Sequence, residues 1–197
     1  MYQDPIFFGV RLYGICIAVG ILACFLVLFL YSKIKKFDEK FVDFTYYNGI
    51  VAIGLGFLSA QLMHTFYMYL ATGEFNFPTG MSVLGGLLGG SISFIIGYLI
   101  FRKKLKHSIF DLTPIATCCI LIAHAFGRIG CFFAGCCHGK ETDSFLGVKF
   151  PHLPNPVHPT QLYEAGFLFI LFIILAKLYK IVCIFLFYID FYKSSIK

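Results

Sequence analysis

Residues 12–32, LYGICIAVGILACFLVLFLYS, contain no charged side chain and run straight into the basic stretch Lys33-Ile34-Lys35-Lys36. About 20 apolar residues in a helix cross the roughly 30 Å hydrocarbon core of a bilayer, so this stretch predicts a membrane span. Four further stretches read the same way, at 44–72, 83–101, 112–134 and 161–179. Their apolar residues run solidly rather than alternating, which excludes a barrel and leaves helices, whose backbone polar groups are satisfied internally. The whole chain agrees. Of its 197 residues 59% are hydrophobic and 13% charged, against about 25% charged in soluble domains. A soluble core of this size cannot hide such a surplus. A secreted disulfide scaffold, a disordered tail and an ordinary cytosolic enzyme are thereby excluded. The expected architecture is all-α: one integral membrane domain over 1–197, a polytopic bundle of about five transmembrane helices. A short C-terminal apolar segment, Ile181–Ile189, is left over, either lying at the interface or beginning a sixth helix.

Charge orients this bundle. Lys33, Lys35, Lys36 and Lys40 follow the first span, Arg102, Lys103, Lys104 and Lys106 the third, and Lys177 and Lys180 the fifth. The turn Ala71–Ser82 holds no Lys or Arg, and Gly135–His158 holds only Lys140 and Lys149. Basic residues mark the cytoplasmic side. The N-terminus and the loop at about 135–158 are therefore expected outside. The net charge of +6 is read as this topology signal, with no nucleic acid as partner. Met1–Gly9 carries Asp4 and no basic residue, so no cleavable signal is expected there.

Ionisable groups at membrane depth are functional candidates by default. His64 and His124 fall within the second and fourth spans, and Arg128 near the outer end of the fourth. For the histidines the alternative is a neutral imidazole bonded to a neighbouring helix; for Arg128 it is snorkelling to the headgroups. Glycines flank the arginine in Gly127-Arg128-Ile129-Gly130 and permit close helix approach. A guanidinium there can grip a lipid phosphate bidentately. The run Met81-Ser82-Val83-Leu84-Gly85-Gly86-Leu87-Leu88-Gly89-Gly90 suits either tight helix packing or a thin wall for a lipid. In His158-Pro159-Thr160-Gln161-Leu162-Tyr163-Glu164, Pro159 suits a helix start, Thr160 or His158 a cap, and Glu164 a first-turn anion. Capping does not account for His, Gln, Tyr and Glu together.

Five of the eight cysteines sit in apolar runs, as small hydrophobes. Cys131, Cys136, Cys137 and His138 form a denser group, open to packing, to thiol redox chemistry or a disulfide, and to metal. The group lacks paired C-x2-C spacing. Adjacent Cys136 and Cys137 are not expected to point at one ion. No metal and no cofactor are expected.

Three segments resemble one family in their order along the chain. Asp4-Pro5-Ile6-Phe7 with Arg11-Leu12-Tyr13-Gly14, then Gly127-Arg128-Ile129-Gly130, then HPTQLYE at 158–164 are similar to prolipoprotein diacylglyceryl transferases, over roughly residues 4–180. MSVLGGLLGG stands where that family places its third-helix glycine motif. The resemblance implies a multi-pass enzyme of the bacterial inner (plasma) membrane with its N-terminus outside. It implies transfer of the diacylglyceryl group of phosphatidylglycerol to the lipobox cysteine of a prolipoprotein signal peptide, with glycerol-1-phosphate leaving. Its partners are that lipid, that peptide and the surrounding membrane lipids. The implied catalytic residues are Arg128, which binds the phosphate, with Tyr13, His158 and Glu164. The implied substrate-binding residues are Arg128, Gly127, Gly130, Gly139, Gln161 and Tyr163. The chain departs from the family's best-studied members at Leu84, Cys131 and Cys136, where they carry His, Asn and Glu. No later helix bearing Tyr, Arg and Glu precedes Lys197, so a divergent, C-terminally shortened member is expected. Two other readings stay open at this level, a non-catalytic relative that binds anionic lipid and a Cys/His-based membrane thiol or redox protein. A lid role for the 135–158 loop is a further expectation.

Overall fold

The computed structural model describes residues 11–73 and 80–195, with side chains to residue 179. Asp4-Pro5-Ile6-Phe7, residues 74–79 of the expected outer turn, and the side chain of Cys183 lie outside the described residues. Five long helices follow in chain order: α1 (Leu12–Lys35), α2 (Glu39–Thr72), α3 (Val83–Phe101), α4 (Ile109–Ala134) and α5 (Thr160–Ser195). A single tight turn of helix, Arg102–Lys104, extends α3. All five are long and apolar enough to cross a membrane. Their outer faces remain apolar, as with Leu22 at 67% and Ile100 at 69% exposed, which is the surface lipid covers rather than water.

Local chemistry sets the ends. α2 stops at Gly73, whose φ of 74° lets its N–H reach the Tyr69 carbonyl at 2.9 Å. α3 starts where the Ser82 hydroxyl accepts from Gly85 N–H at 3.4 Å. α4 opens on a reciprocal cap: Ser108 Oγ accepts from Phe110 N–H, and the Asp111 carboxylate accepts from Ser108 N–H at 2.9 Å. Because polar first turns are helical too, α2 and α4 begin several residues before their apolar cores at 44 and 112. Ile181–Ile189 is neither a separate interfacial piece nor the start of another helix. It continues α5 without a break, because nothing between Tyr179 and Ile189 interrupts the backbone ladder.

The chain divides into two compact units, Met1–Lys35 with Leu112–Lys197, and Lys36–Asp111. The second is the α2–α3 hairpin. Its glycine run is a packing surface: a Cβ on Gly85 would lie 2.9 Å from the Ser59 carbonyl, and one on Gly86 3.4 Å from Ala60 Cβ. Ser59 Oγ donates to the Gly85 carbonyl at 2.8 Å and Asn48 Nδ2 to that of Phe94 at 2.9 Å. The lipid-wall reading of this run is thus replaced by helix approach. His64 lies against Gly80, whose missing Cβ leaves room for the imidazole edge.

In the first unit α1 packs on α4 and α5. Cys24 and Cys119 each point a thiol at the other's carbonyl, at 3.1 and 3.4 Å, so these two act as weak donors between helices rather than only as hydrophobes. Tyr31 Oη donates to the Ala176 carbonyl at 3.0 Å, and Phe126 meets Phe169 edge-on. Between α4 and α5 the chain folds back on itself. Val148 and Val157 exchange backbone bonds of 2.9 and 3.0 Å, and Gly139, Lys140 and Thr142 pair with His158 and Pro156. Fully buried Phe150 anchors the loop against Phe132.

Candidate active site

Arg128 and His124 are four residues apart on α4 and so project from one face. Both meet the same carboxylate oxygen of α5. Glu164 Oε1 is 2.9 Å from Arg128 Nη2 and 3.6 Å from His124 Nε2. Glu164 is therefore no helix cap. It lies beyond the first turn of α5, which contains no acidic residue. Thr160 does not cap either: its hydroxyl donates to the Cys137 carbonyl at 3.1 Å. Pro159 stands just outside the helix, its carbonyl accepting from Leu162 N–H at 2.9 Å. In the sequence His124 stands out as an intramembrane histidine, and its spacing of four residues from Arg128 is the signal that joins it to the site.

The glycines have distinct surroundings. Around Gly127 there is open space, whereas a Cβ on Gly130 would meet Tyr13 Cδ2 at 3.1 Å and Cys16 Cβ at 3.3 Å. Gly130 thus seats α1 against α4 and fixes Tyr13 beside the next residue, Cys131. Gly139 donates to the His158 carbonyl at 2.9 Å, and a Cβ there would press on Thr160 Cγ2 and His158 Cβ. These two glycines position backbone, whereas a Cβ on Gly127 would meet no described atom within 4 Å. His158 and Tyr163 pair with each other, Nδ1 to Oη at 3.3 Å. Gln161, 1% exposed, turns inward and donates through Nε2 to the Cys136 carbonyl. The first turn of α5 therefore clamps the loop that follows α4.

That loop corrects one expectation. The sulfurs of Cys131, Cys136 and Cys137 all lie within 4.8 Å of one another. The vicinal pair converges because Cys137 takes a left-handed φ of 61° after Gly135 at 72°, a backbone state that redirects its side chain. His138 stands apart from this group, its Nδ1 facing the Gly139 carbonyl at 3.2 Å and its ring near Phe150. Burial first, then the neighbouring Cys137 thiol, pushes the Cys136 thiol above its ordinary range. Cys131 stands three residues after Arg128 on α4, and so on the same side of that helix.

The family model described as prolipoprotein diacylglyceryl transferase matches residues 5–195. The chain belongs to the prolipoprotein diacylglyceryl transferase family. A phosphatidylglycerol–prolipoprotein diacylglyceryl transferase of Clostridium tetani is 33% identical over 176 residues, covering 83% of this chain and 68% of that relative. One from Dehalococcoides mccartyi is 31% identical over 184 residues, covering 86% and 68%. One from Rickettsia bellii is 38% identical over 147 residues, covering 72% and 53%. Within this transferase family the chain is a multi-pass membrane protein, and the Arg128–Glu164–His124 cluster lies inside the matched region.

Proposed function

We propose that this chain transfers the diacylglyceryl group of phosphatidylglycerol to the lipobox cysteine of prolipoproteins in the bacterial plasma membrane, with its N-terminus outside. The observation that carries the reading is the Arg128–Glu164 pair of 2.9 Å with His124 on the same oxygen. The reaction needs a cation that holds a phosphate as it becomes a leaving group. A guanidinium suits it, because its planar fork matches phosphate oxygens and its charge is permanent. Glu164 engages Nη2, and Arg128 Nε has no hydrogen-bond partner among the described residues. Donors on the guanidinium thus remain for an anion.

The geometry supports this division of labour. Arg128 binds the phosphate and stabilises the charge that grows on the departing glycerol-phosphate oxygen. Glu164 holds the guanidinium in place, and His124 holds Glu164 from the next turn of α4. Tyr13, seated on Gly130, flanks the acceptor side. Gln161 and Thr160 hold the loop that follows α4, His158 and Tyr163 stand at the start of α5, and the folded 135–158 segment is assigned the part of a lid. Phosphatidylglycerol enters from the bilayer and the signal peptide supplies the thiol.

The test is direct. Purified protein should move labelled diacylglycerol from phosphatidylglycerol onto a lipobox peptide, and Arg128→Ala should lower the rate by about 100-fold or more. An Arg128→Ala variant at full rate would remove the basis for the assignment.

A further inference from the structure

The Arg128 site has no assigned means of turning the acceptor thiol into a thiolate, and three thiols beside it have no assigned task. Cys131, Cys136 and Cys137 place their sulfurs within 4.8 Å of one another. Zn–S bonds of about 2.3 Å require S···S separations of about 3.8 Å around a tetrahedral ion, so a metal would have to draw the sulfurs together by at most about 1 Å. The supporting backbone is already ordered. Cys136 N–H donates to the Cys131 carbonyl at 3.1 Å, and the carbonyls of Cys136 and Cys137 accept from Gln161 and Thr160. Such outer contacts orient metal ligands. Left-handed backbone at a non-glycine residue, as at Cys137, is strain of the sort that persists at functional sites. Three protein sulfurs leave one tetrahedral position open, which is the pattern of a catalytic rather than a structural zinc site.

We propose that Cys131, Cys136 and Cys137 bind a zinc ion whose fourth position takes the sulfur of the acceptor cysteine as a thiolate. The inference rests on the transferase reading of Arg128. On binding zinc the acceptor R–SH loses its proton to solvent, since a coordinating thiol is deprotonated outright. An electron pair of that sulfur then forms a bond to the glyceryl carbon of phosphatidylglycerol. The bond from that carbon to the phosphate oxygen breaks, its pair staying on the oxygen. Glycerol phosphate takes up a proton and leaves past Arg128, and no atom changes oxidation state.

Cobalt(II) serves as the optical probe on the full chain in detergent micelles. One ion per chain should bind with sulfur-to-cobalt charge-transfer absorption, and a lipobox peptide should raise that absorption by about a third as three sulfur ligands become four. A peptide with Ser in place of the lipobox Cys should leave it unchanged. Cys131→Ser, Cys136→Ser and Gln161→Ala should each weaken cobalt binding by about 10-fold or more, while Cys118→Ala keeps the stoichiometry. Removing metal from the unmodified protein with a chelator should abolish transfer and zinc should restore it, a readout that does not depend on whether the serine variants fold. Full transfer by metal-free protein, or cobalt bound without response to the peptide, overturns the zinc inference and leaves the Arg128 reading standing. A peptide-dependent cobalt spectrum without any diacylglyceryl transfer supports the metal–thiol site and overturns the transferase reading.

Discussion

Glu164→Ala tests whether the carboxylate acts through the arginine or on its own. In the structure Glu164 Oε1 lies 2.9 Å from Arg128 Nη2, with the two side chains 39% and 28% exposed. Exposed ion pairs contribute about 0.2–1 kcal/mol, whereas breaking a buried one costs about 3–5 kcal/mol. A half-buried pair falls between, so removing Glu164 should cost about 1–2 kcal/mol, or about 5- to 30-fold in rate. Arg128→Ala should cost about 3–4 kcal/mol, because the charge facing the leaving phosphate is gone. The double variant separates the two possibilities. If Glu164 only positions Arg128, the carboxylate has nothing left to hold, and Arg128→Ala/Glu164→Ala should be no slower than Arg128→Ala. The coupling then equals the whole effect of Glu164→Ala. The assay is kcat/KM for transfer of labelled diacylglycerol from phosphatidylglycerol to a lipobox peptide, converted to free energies. Additivity within about 0.5 kcal/mol would show two independent sites. Wild-type rates in Glu164→Ala would refute the pairing as functional. Glu164→Gln, which keeps an oxygen acceptor without the charge, should fall between wild type and Glu164→Ala.

His124→Gln should slow transfer by about threefold, since a 3.6 Å contact is worth less than a direct charged hydrogen bond; a loss as deep as that of Arg128→Ala would make His124 a principal rather than a supporting group. Gly130→Ala places a Cβ 3.1 Å from Tyr13 Cδ2, so crowding should lower the thermal midpoint by an amount matching about 1–3 kcal/mol, read by thermal unfolding in detergent, and should shift Tyr13; an unchanged midpoint would show that α1 yields freely. Phe150→Ala empties the fully buried anchor of the loop and should cost that segment about 3–5 kcal/mol, exposing bonds near Phe145 to limited proteolysis while the helices resist. Equal protection in both proteins would mean that the loop is held elsewhere.

The helices were legible because membrane insertion is decided by local composition. Residues 12–32 announce a span wherever they sit, and the departures at α2, α4 and α5 arose where polar or interrupted-looking residues, Glu39 or Lys180 among them, are helical without being apolar. Arg128 stands out for the same local reason, as a charge in an apolar run. HPTQLYE is conspicuous as a grouping, yet capping does not describe it: a cap is judged from chain neighbours, whereas Glu164 is held by residues 36 and 40 positions earlier on α4. Sequence spacing likewise argued against Cys136 and Cys137 converging, because it assumes ordinary φ angles and Cys137 departs from them.

The sequence by itself determined the solvent of this protein, its five spans and its family, since each depends on residue type and order along one strand of chain. Tertiary structure decided the contacts. Which oxygen Arg128 meets, that His124 shares it, and that three thiols separated by up to six residues fall within 4.8 Å depend on how α4 and α5 pack and how the chain turns between them. Hydrophobicity acts without direction and is readable as a sum; hydrogen bonds, ion pairs and sulfur clusters are directional over a few ångströms, and only the fold sets those distances.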